Sequence, residues 1–189
     1  MKKVLVAILL LSVLSAAAFA EEKLLIGEGT SVGIYGGPAV NITTVDQQMA
    51  ILSGGRGAII FGNTFIIGGG GYGLSIPVEK DTAGGPYNIN FSYGGLELGV
   101  TVGSDRLLHF TSHVLLGAGN VNYQDSAGDN SRLYVIEPHG YLEVNVLNWM
   151  RICIGGGYRF VFGVEGVQEL SDSDLWGPSG ELLIKFGSF

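Results

Sequence analysis

The sequence predicts an all-β fold, an eight-stranded antiparallel up-and-down β-barrel that crosses a membrane. Three observations predict it: residues that alternate between apolar and polar, scarce charge, and connections that alternate between short and long. Charged residues make up 14% of the 189 residues, against roughly 25% in ordinary soluble domains. Glycine contributes 32 residues, more than twice its usual share of about 7%. Such a chain has too few charged residues to cover a surface that is exposed to water on every side.

The first twenty residues have the parts of a secretory signal peptide. Residues 2–3 are basic, 4–14 are apolar, and 18–20 (AFA) form a small-x-small cleavage site. We therefore predict that residues 1–20 are removed after export and that 21–189 form a single domain. An uncleaved membrane anchor is the less favoured alternative, because the apolar segment is short.

Charge and cysteine content exclude several classes of protein. Without Lys2 and Lys3, 8 basic residues remain against 17 acidic ones, a formal net charge of −9, which argues against a nucleic-acid partner. Cys153 is the only cysteine, so an intrachain disulfide is impossible. After residue 20 there is no apolar run long enough for a membrane helix. A membrane protein without such helices must pair its backbone polar groups in a closed barrel.

Strands one to three follow from alternation in the N-terminal half. Residues 31–41 predict a weak strand, followed by a polar loop at 42–48. In the second strand Arg56 faces away from the apolar side, and Gly62-Asn63 has the signature of a two-residue hairpin turn. The third strand, 65–78, contains a glycine run and has one apolar face. That face contains Ile66, Tyr72, Leu74, Ile76 and Val78.

Strands four to eight alternate more regularly. Polar residues such as Glu97, Thr101, His109 and His113 fall on one face of strands four and five, opposite leucine, valine and phenylalanine. Strands six and seven form a hairpin around residues 147–149, with even-numbered apolar positions and odd-numbered polar ones. The predicted strands are 31–41, 49–61, 65–78, 87–103, 106–123, 134–146, 150–164 and 181–189.

The connections fall into two classes. Links 2–3, 4–5 and 6–7 are tight turns, and the fourth strand turns at residues 103–105. The other links are polar loops at 42–48, 79–86, 124–132 and 165–179. This sorting predicts all turns at one end of the barrel and all loops at the other, as in outer-membrane barrels.

The alternation alone leaves open which face points outward. A soluble lipocalin-like barrel would turn its apolar face inward. The glycines of the polar face (69, 71, 73, 117, 119, 155 and 157) favour that face as the interior, where they leave room for large side chains. Aromatic residues of the apolar face lie near the strand ends, as interfacial girdles do: Tyr134, Phe160 and Phe162 at one end, Phe110 and Phe186 at the other. We therefore predict that the apolar face contacts lipid.

Over its mature length the chain resembles the small eight-stranded outer-membrane barrels of the OmpA/OmpX type. It also resembles a group of uncharacterised exported bacterial proteins with blocks such as GGRGAII (54–60), GGGGYGL (68–74), SDRLLHF (104–110), YRFVFGV (158–164) and SDSDLWGPS…IKFGSF (171–189). The resemblance implies a monomer in the outer membrane of a Gram-negative cell, in contact with lipid. It also implies that the barrel-assembly machinery recognises the C-terminal strand ending at Phe189. Phe189 is out of phase with Leu182, Ile184 and Phe186, which departs from that pattern.

The inward polar residues are the candidate site residues, and we predict that they form a structural network in the lumen. They are Arg56, Glu97, His109, His113, Glu137, His139, Glu143, Arg151, Arg159, Glu181 and Lys185. Turn geometry predicts four facing pairs: Glu137 with Arg159, Asn145 with Arg151, Glu97 with His113, and Thr101 with His109. A proton-linked or ion-conducting lumen is the alternative, disfavoured because eight strands leave little room for a pore.

Catalytic, metal and cofactor chemistry are not predicted. His109 and His113 lie on one strand about 13 Å apart at the usual rise, too far to share an ion. Ser112 and His113 point to opposite faces, so they cannot form a nucleophile and base pair. The glycine run at 68–73 lacks the following helix and lysine of a phosphate loop.

We conclude that the sequence favours an outer-membrane barrel with a structural or surface-interaction role and a lumen filled by charged side chains. Two alternatives remain. One is a small channel or transport barrel, and the other is a soluble periplasmic barrel that binds an apolar ligand.

Overall fold

The computed structural model describes residues 30–83, 85–124, 130–167 and 169–189. The predicted signal peptide, 1–20, lies outside them. The strands are β1 (Val32–Val45), β2 (Gln48–Phe61), β3 (Phe65–Leu74), β4 (Val78–Thr82), β5 (Gly85–Val102), β6 (Leu108–Tyr123), β7 (Asn130–Leu147), β8 (Met150–Phe162) and β9 (Gly177–Ser188). One short 3-10 helix, Asp172–Asp174, lies between β8 and β9. The described residues include no helix of sufficient length and apolarity to cross a membrane.

The strands form a closed barrel. Their order is β3-β2-β1-β9-β8-β7-β6-β5-β4, and the additional pairing of β3 with β5 closes the sheet. After a break at residues 75–77, β4 continues the line of β3 alongside β5. β3 and β4 therefore count as one barrel strand. The predicted eight-stranded antiparallel barrel is confirmed.

The inside and outside of the barrel follow the predicted alternation on β5 to β9. On β7, Tyr134 and Leu142 are exposed on the outer surface, whereas Glu137 and Glu143 are fully buried in the interior. The register of the β7–β8 hairpin also agrees with the prediction, with Asn145 opposite Arg151. Period-two alternation therefore assigns the faces correctly wherever one face is apolar and the other polar.

The prediction for the first connection is wrong. β1 continues to Val45, and β1 and β2 are joined by a two-residue turn at Asp46 and Gln47, both with positive φ. The polar residue Thr43, which lies in the predicted loop, faces the polar interior and is buried. One of the connections at the predicted long-loop end is thus a tight turn.

The other three predicted loops also contain strand. Residues 130–132 of the loop predicted at 124–132 belong to β7, which begins at Asn130. Most of 79–86 belongs to β4 and to the first residues of β5, which pair with each other from Val78 opposite Ile89 to Thr82 opposite Gly85. The predicted loop at 165–179 ends earlier, because β9 begins at Gly177. Short polar strand segments beyond the apolar belt do not differ from loops in composition.

The prediction for the third strand has the wrong phase. Ile66 and Tyr72 are buried inside the barrel, and Ile67 lies on the outer surface. Gly69, Gly71 and Gly73 therefore face outward, rather than inward as predicted. Glycine and apolar residues occupy both faces of β3, so the sequence lacks the contrast that assigns a face.

The two ends of the barrel differ, and we name them by their connections. The turn end carries the turns at 62–64, 103–107 and 148–149, together with the start of β1 and the end of β9. The loop end carries the β1–β2 turn, the β4–β5 hairpin and the 163–176 segment. We call this segment the cap loop; Gln168 within it is not described.

Candidate functional site in the barrel interior

All eleven sequence-predicted polar residues are buried in the barrel interior. They include four cationic side chains (Arg56, Arg151, Arg159, Lys185) and four carboxylates (Glu97, Glu137, Glu143, Glu181), together with His109, His113 and His139. Buried charges are tolerated when they are paired and hydrogen-bonded. The equal numbers of the two signs allow that pairing.

The central cluster is built around Arg56 of β2. Its guanidinium lies 3.4 Å from Glu97 Oε1 and 3.5 Å from Glu181 Oε1. Glu97 also lies 3.2 Å from His113 Nδ1. Because β2, β5, β6 and β9 each supply one of these groups, the cluster joins widely spaced strands across the lumen.

Tyrosine hydroxyls complete the coordination of Glu181. Tyr72 donates to Glu181 Oε2 at 2.8 Å, and Tyr141 donates to Oε1 at 3.0 Å. The guanidinium of Arg56 also lies near the faces of both rings, 5.6 Å from the centroid of Tyr72 and 5.5 Å from that of Tyr141. The aromatic rings therefore fill the space around the ion pairs as well as satisfying their polar atoms.

A second cluster lies nearer the turn end and is centred on Glu143. Lys185 donates to Glu143 Oε1. The other oxygen of Glu143 lies 3.2 Å from His109 Nε2 and 3.9 Å from Arg151 Nη1. One carboxylate thus contacts three basic side chains from three different strands.

Phe189 closes the interior at the turn end. Its ring stacks on Tyr35 with 6.4 Å between centroids, and the guanidinium of Arg151 lies 4.0 Å from the ring centroid. The inward contacts account for the phase noted in the sequence, because Phe189 follows the inward series Glu181, Leu183 and Lys185. Phe189 therefore contributes to the packed interior.

The predicted ion pair between Glu137 and Arg159 is not formed. The two residues occupy facing positions, since Ile136 opposes Phe160, yet their side chains diverge. Arg159 donates to the carbonyl oxygens of Leu175 at 2.9 Å and Thr44 at 2.8 Å, towards the loop end.

Glu137 has other partners at the same level. Its Oε2 accepts from the Tyr93 hydroxyl at 2.7 Å, and its Oε1 accepts from Asn41 Nδ2 at 3.5 Å. A tyrosine thus takes the place predicted for an arginine, and Arg159 is left to bind the cap loop.

The predicted β5–β6 register is wrong by two residues. Thr101 opposes Thr111, and their hydroxyls are 2.8 Å apart, whereas Gly99 opposes His113. The turn covers five residues, 103–107, rather than the predicted three. His113 still contacts Glu97, although diagonally, because both side chains face inward.

The cap loop covers the loop end of the lumen. Val167, Leu170 and Leu175 are buried in the main apolar core. Trp176 donates from Nε1 to the carbonyl oxygen of Val161 at 2.6 Å, and its ring meets Phe160 edge-on. The interior is therefore closed by apolar packing above Arg159 and by Phe189 at the opposite end.

Lys80 of β4 fastens the cap loop to the β1–β2 turn. Its ammonium donates to Asp46 at 2.7 Å and lies 3.7 Å from Asp174. Burial disfavours the charge on Lys80, but the hydrogen bond to Asp46 and the charges of both carboxylates outweigh burial and raise its pKa above the ordinary value for lysine. The backbone N–H of Asp46 also donates to the carbonyl oxygen of Asp174 at 2.6 Å.

Replacing Lys80 with methionine is expected to accelerate amide hydrogen exchange in the cap loop about two- to fivefold at pH 7, the effect of one partly exposed ion pair. Because the folded pKa is raised, this stabilisation is fully present below the unfolded pKa of about 10.4 and is lost as pH rises through the folded value. Exchange measured by mass spectrometry checks the effect. Equal rates in the Lys80 variant and an Arg132→Met control would contradict it.

Catalytic chemistry is not supported by the serine and histidine contacts. Ser112 donates to the carbonyl oxygen of His139 and does not contact a histidine ring. Sequence reasoning missed a second contact, in which Ser179 Oγ lies 2.9 Å from His139 Nε2. Glu137 approaches that same nitrogen at 3.8 Å, whereas in a triad the acid would orient the other ring nitrogen. Ser179 is also buried, away from any substrate.

Within the described ranges, no group of three or more histidine, cysteine, aspartate or glutamate residues could hold a metal ion. His113 and His139 are close, with ring centroids 5.4 Å apart, but both pack against Tyr141. These histidines therefore belong to the packing of the lumen.

The interior network contains aromatic residues that sequence reasoning did not include. Tyr72, Tyr93 and Tyr141 each donate to a buried glutamate. Two of them could have been found from phase alone, because Tyr93 shares the inward face of Glu97 and Tyr141 that of Glu143. These tyrosines were not predicted, because the candidate site residues were chosen from charged residues and histidines.

No protein-family model and no curated protein matches the chain. Solved structures do resemble it. The N-terminal β-barrel domain of Pseudomonas aeruginosa OprF superposes with a TM-score of 0.57 at 11% identity, covering 82% of this chain and 96% of that one. Neisserial surface protein A gives 0.53 at 11% identity, with 85% and 98% covered.

A third similar structure is Ail, the attachment invasion locus protein of Yersinia pestis, in complex with the heparin analogue sucrose octasulfate. Its TM-score is 0.51 at 12% identity, and the match covers 82% of this chain and 95% of Ail. At such identities the likeness establishes the fold alone. The chain therefore has the closed eight-stranded antiparallel barrel fold that these membrane barrels share.

Proposed function

We propose that the protein is an outer-membrane barrel with a structural or surface-interaction role and a lumen that does not conduct. The packed interior carries this proposal. Ion pairs and tyrosine hydrogen bonds cross the lumen at two levels, the cap loop covers one end, and Phe189 fills the other. An eight-stranded barrel has an interior that side chains can just fill.

The outer surface supports residence in a membrane. Large apolar side chains such as Ile34, Leu96 and Ile154 are more than half exposed around the barrel wall. On the barrel strands other than β4, Arg132 is the one outward-facing charge among the described positions, and it lies near the loop end. A water-exposed sheet of this composition would be unusual, whereas lipid contact accounts for it.

Aromatic residues at both ends of the barrel also support residence in a membrane. Trp149 stacks on Phe186 at the turn end, and Phe162 packs against Trp176 at the loop end. Tryptophan, tyrosine and phenylalanine favour the two interfaces of a bilayer. Outer-membrane barrels have short periplasmic turns and longer extracellular loops, so in our proposal the turn end faces the periplasm and the loop end faces the cell exterior.

Membrane fractionation and gel migration test the location. The protein is expected to stay with the outer membrane after carbonate extraction and to migrate differently before and after boiling, as closed membrane barrels do. Release by carbonate without detergent would support the soluble periplasmic alternative. An unchanged migration would contradict a closed membrane barrel.

Planar-bilayer recording tests the filled lumen. Purified barrel is expected to give no steady single-channel steps under conditions in which an open porin conducts, because the lumen has side chains instead of a water path. Steady steps that fall in Arg159→Met or Glu137→Gln variants would favour the channel alternative.

The polyanion-binding behaviour of Ail is not part of our proposal. Ail was solved with a sulfated sugar. A protein surface that binds such a polyanion needs positive charge. The described loop end of this chain carries Lys80 and Arg132 as its cations, against a larger set of carboxylates. These are Asp46, Glu79, Asp81, Glu165, Glu169, Asp172 and Asp174. Charge repulsion at this end opposes a polyanionic partner.

A further inference from the structure

The turn end has an open groove on its outer side, beside the β5–β6 turn. Its floor is apolar and its rim carries two opposite charges. It is lined by Val102, Asp105, Arg106, Leu108, Phe110 and Leu142, with Gly103 and His109 at its edge. On the orientation proposed above, this groove lies at the periplasmic interface of the membrane.

The apolar floor crosses three strands. Val102 of β5 opposes Phe110 of β6, and Phe110 opposes Leu142 of β7. All three side chains are about half exposed on the outer surface. A row of this kind offers the contact surface that an acyl chain needs.

Phe110 leaves the groove open because its ring lies over a glycine. A Cβ placed on Gly140 would be 3.1 Å from Cζ of Phe110, so the ring occupies the space that a side chain at 140 would take. Gly140 opposes Ser112, which lies two residues farther from the turn end than Phe110. The ring therefore leans away from the rim and leaves room between Leu142 and the turn.

The turn itself is held in place. The backbone N–H of Asn145 donates to the carbonyl oxygen of Leu107, and Asn145 Nδ2 donates to that of Arg106 at 2.8 Å. Gly103 has a φ of 72°, and the stem of Arg106 lies against it. The charged rim is thus positioned before any ligand arrives, which lowers the entropic cost of binding.

Asp105 and Arg106 have no ion-pair partner within the described ranges, with each other or with other residues. Most cations of the described strands contact carboxylates or carbonyl groups. Arg106, in contrast, is exposed and lines the groove. A guanidinium is suited to a phosphate, and a carboxylate next to it is suited to an ammonium.

We propose that this groove binds a phospholipid with a zwitterionic ethanolamine headgroup. The phosphate contacts Arg106, the ammonium contacts Asp105, and an acyl chain lies along Val102, Phe110 and Leu142. This inference rests on the proposed membrane orientation. A phospholipid fits because one molecule offers an anionic phosphate, a cationic ammonium and an apolar chain.

Native mass spectrometry of the mature barrel in detergent, with equal amounts of phosphatidylethanolamine and phosphatidylglycerol, tests the site. Wild type is expected to retain mainly phosphatidylethanolamine. Arg106→Gln is expected to bind it about tenfold more weakly, the loss of one charge-assisted contact. Asp105→Asn is expected to lose the preference over phosphatidylglycerol while keeping phospholipid. Arg132→Gln, which removes the outward arginine near the other end, is the matched control and is expected to match wild type.

The outcomes distinguish a failure of the proposed lipid site from a failure of the proposed function. Heat-modifiable migration is measured on each sample. If wild type shows the gel shift but retains no phosphatidylethanolamine, the lipid site is wrong and the membrane barrel stands. If the gel shift itself is missing, the proposed function fails first. Equal adducts on wild type and Arg106→Gln, equal losses in Arg106→Gln and Arg132→Gln, or an unchanged headgroup preference in Asp105→Asn would each overturn the proposal.

Discussion

Replacing Arg56 with methionine is expected to lower the free energy of unfolding of the barrel by about 3–5 kcal/mol, the usual cost of breaking a buried ion pair. The guanidinium lies within 3.5 Å of both Glu97 and Glu181, and all three side chains are buried. Methionine keeps much of the length of arginine, so little packing is lost. What remains is two carboxylates facing each other without their cation.

Equilibrium unfolding in urea from lipid vesicles, followed by tryptophan fluorescence, measures this loss. Arg132→Met is the control, because Arg132 is exposed and makes no ion pair within the described residues; it is expected to change stability by less than about 0.5 kcal/mol. A double variant, Arg56→Met with Glu97→Gln, should recover part of the loss by removing one of the unpaired charges. A loss below about 1 kcal/mol for Arg56→Met would show that the central cluster does not stabilise the barrel.

The sequence predicts the faces of the barrel best where the two faces differ most in polarity. On β7 each inward position from Glu137 to Glu143 is polar or aromatic and each outward one is apolar, glycine or proline, so alternation assigns both faces. On β3 this contrast disappears: Ile66 and Tyr72 are inward, Ile67 is outward, and glycines lie on both sides. The prediction of a loop at 42–48 fails for a related reason, because inward Thr43 looks like a loop residue.

Which interior side chains contact each other could be predicted less well than which side chains face the interior. Strand pairing gives each residue its neighbours, but Glu181 of β9 binds Tyr72 of β3, which is not an adjacent strand. Such contacts depend on the tilt of the strands and on how far each side chain reaches across the lumen. Glu137 and Arg159 illustrate the second factor, because they face each other and yet reach in different directions.

Replacing Gly54 with valine is expected to destabilise the barrel by more than about 3 kcal/mol or to prevent its closure, at the upper end of overpacking effects. Gly54 lies on β2 with its missing side chain directed inward, opposite Tyr72. A Cβ there would lie 1.9 Å from the carbonyl oxygen of Gly71 and 2.9 Å from Cδ1 of Tyr72. The nearer obstacle is backbone of the paired strand, so relief requires the two strands to separate.

Gly57→Val is the matched control, because Gly57 lies on the same strand, three residues away, but faces outward. The nearest atom to a Cβ at Gly57 is the carbonyl oxygen of Tyr35 at 3.5 Å, an ordinary contact. Both substitutions restrict a flexible glycine and add a residue that favours strands, so these effects cancel in the comparison. Gly57→Val should fold with near wild-type stability and a normal gel shift, whereas Gly54→Val should lack the shift or unfold at lower urea. If the two variants behave alike, close backbone approach inside the barrel is not the reason for glycine at position 54.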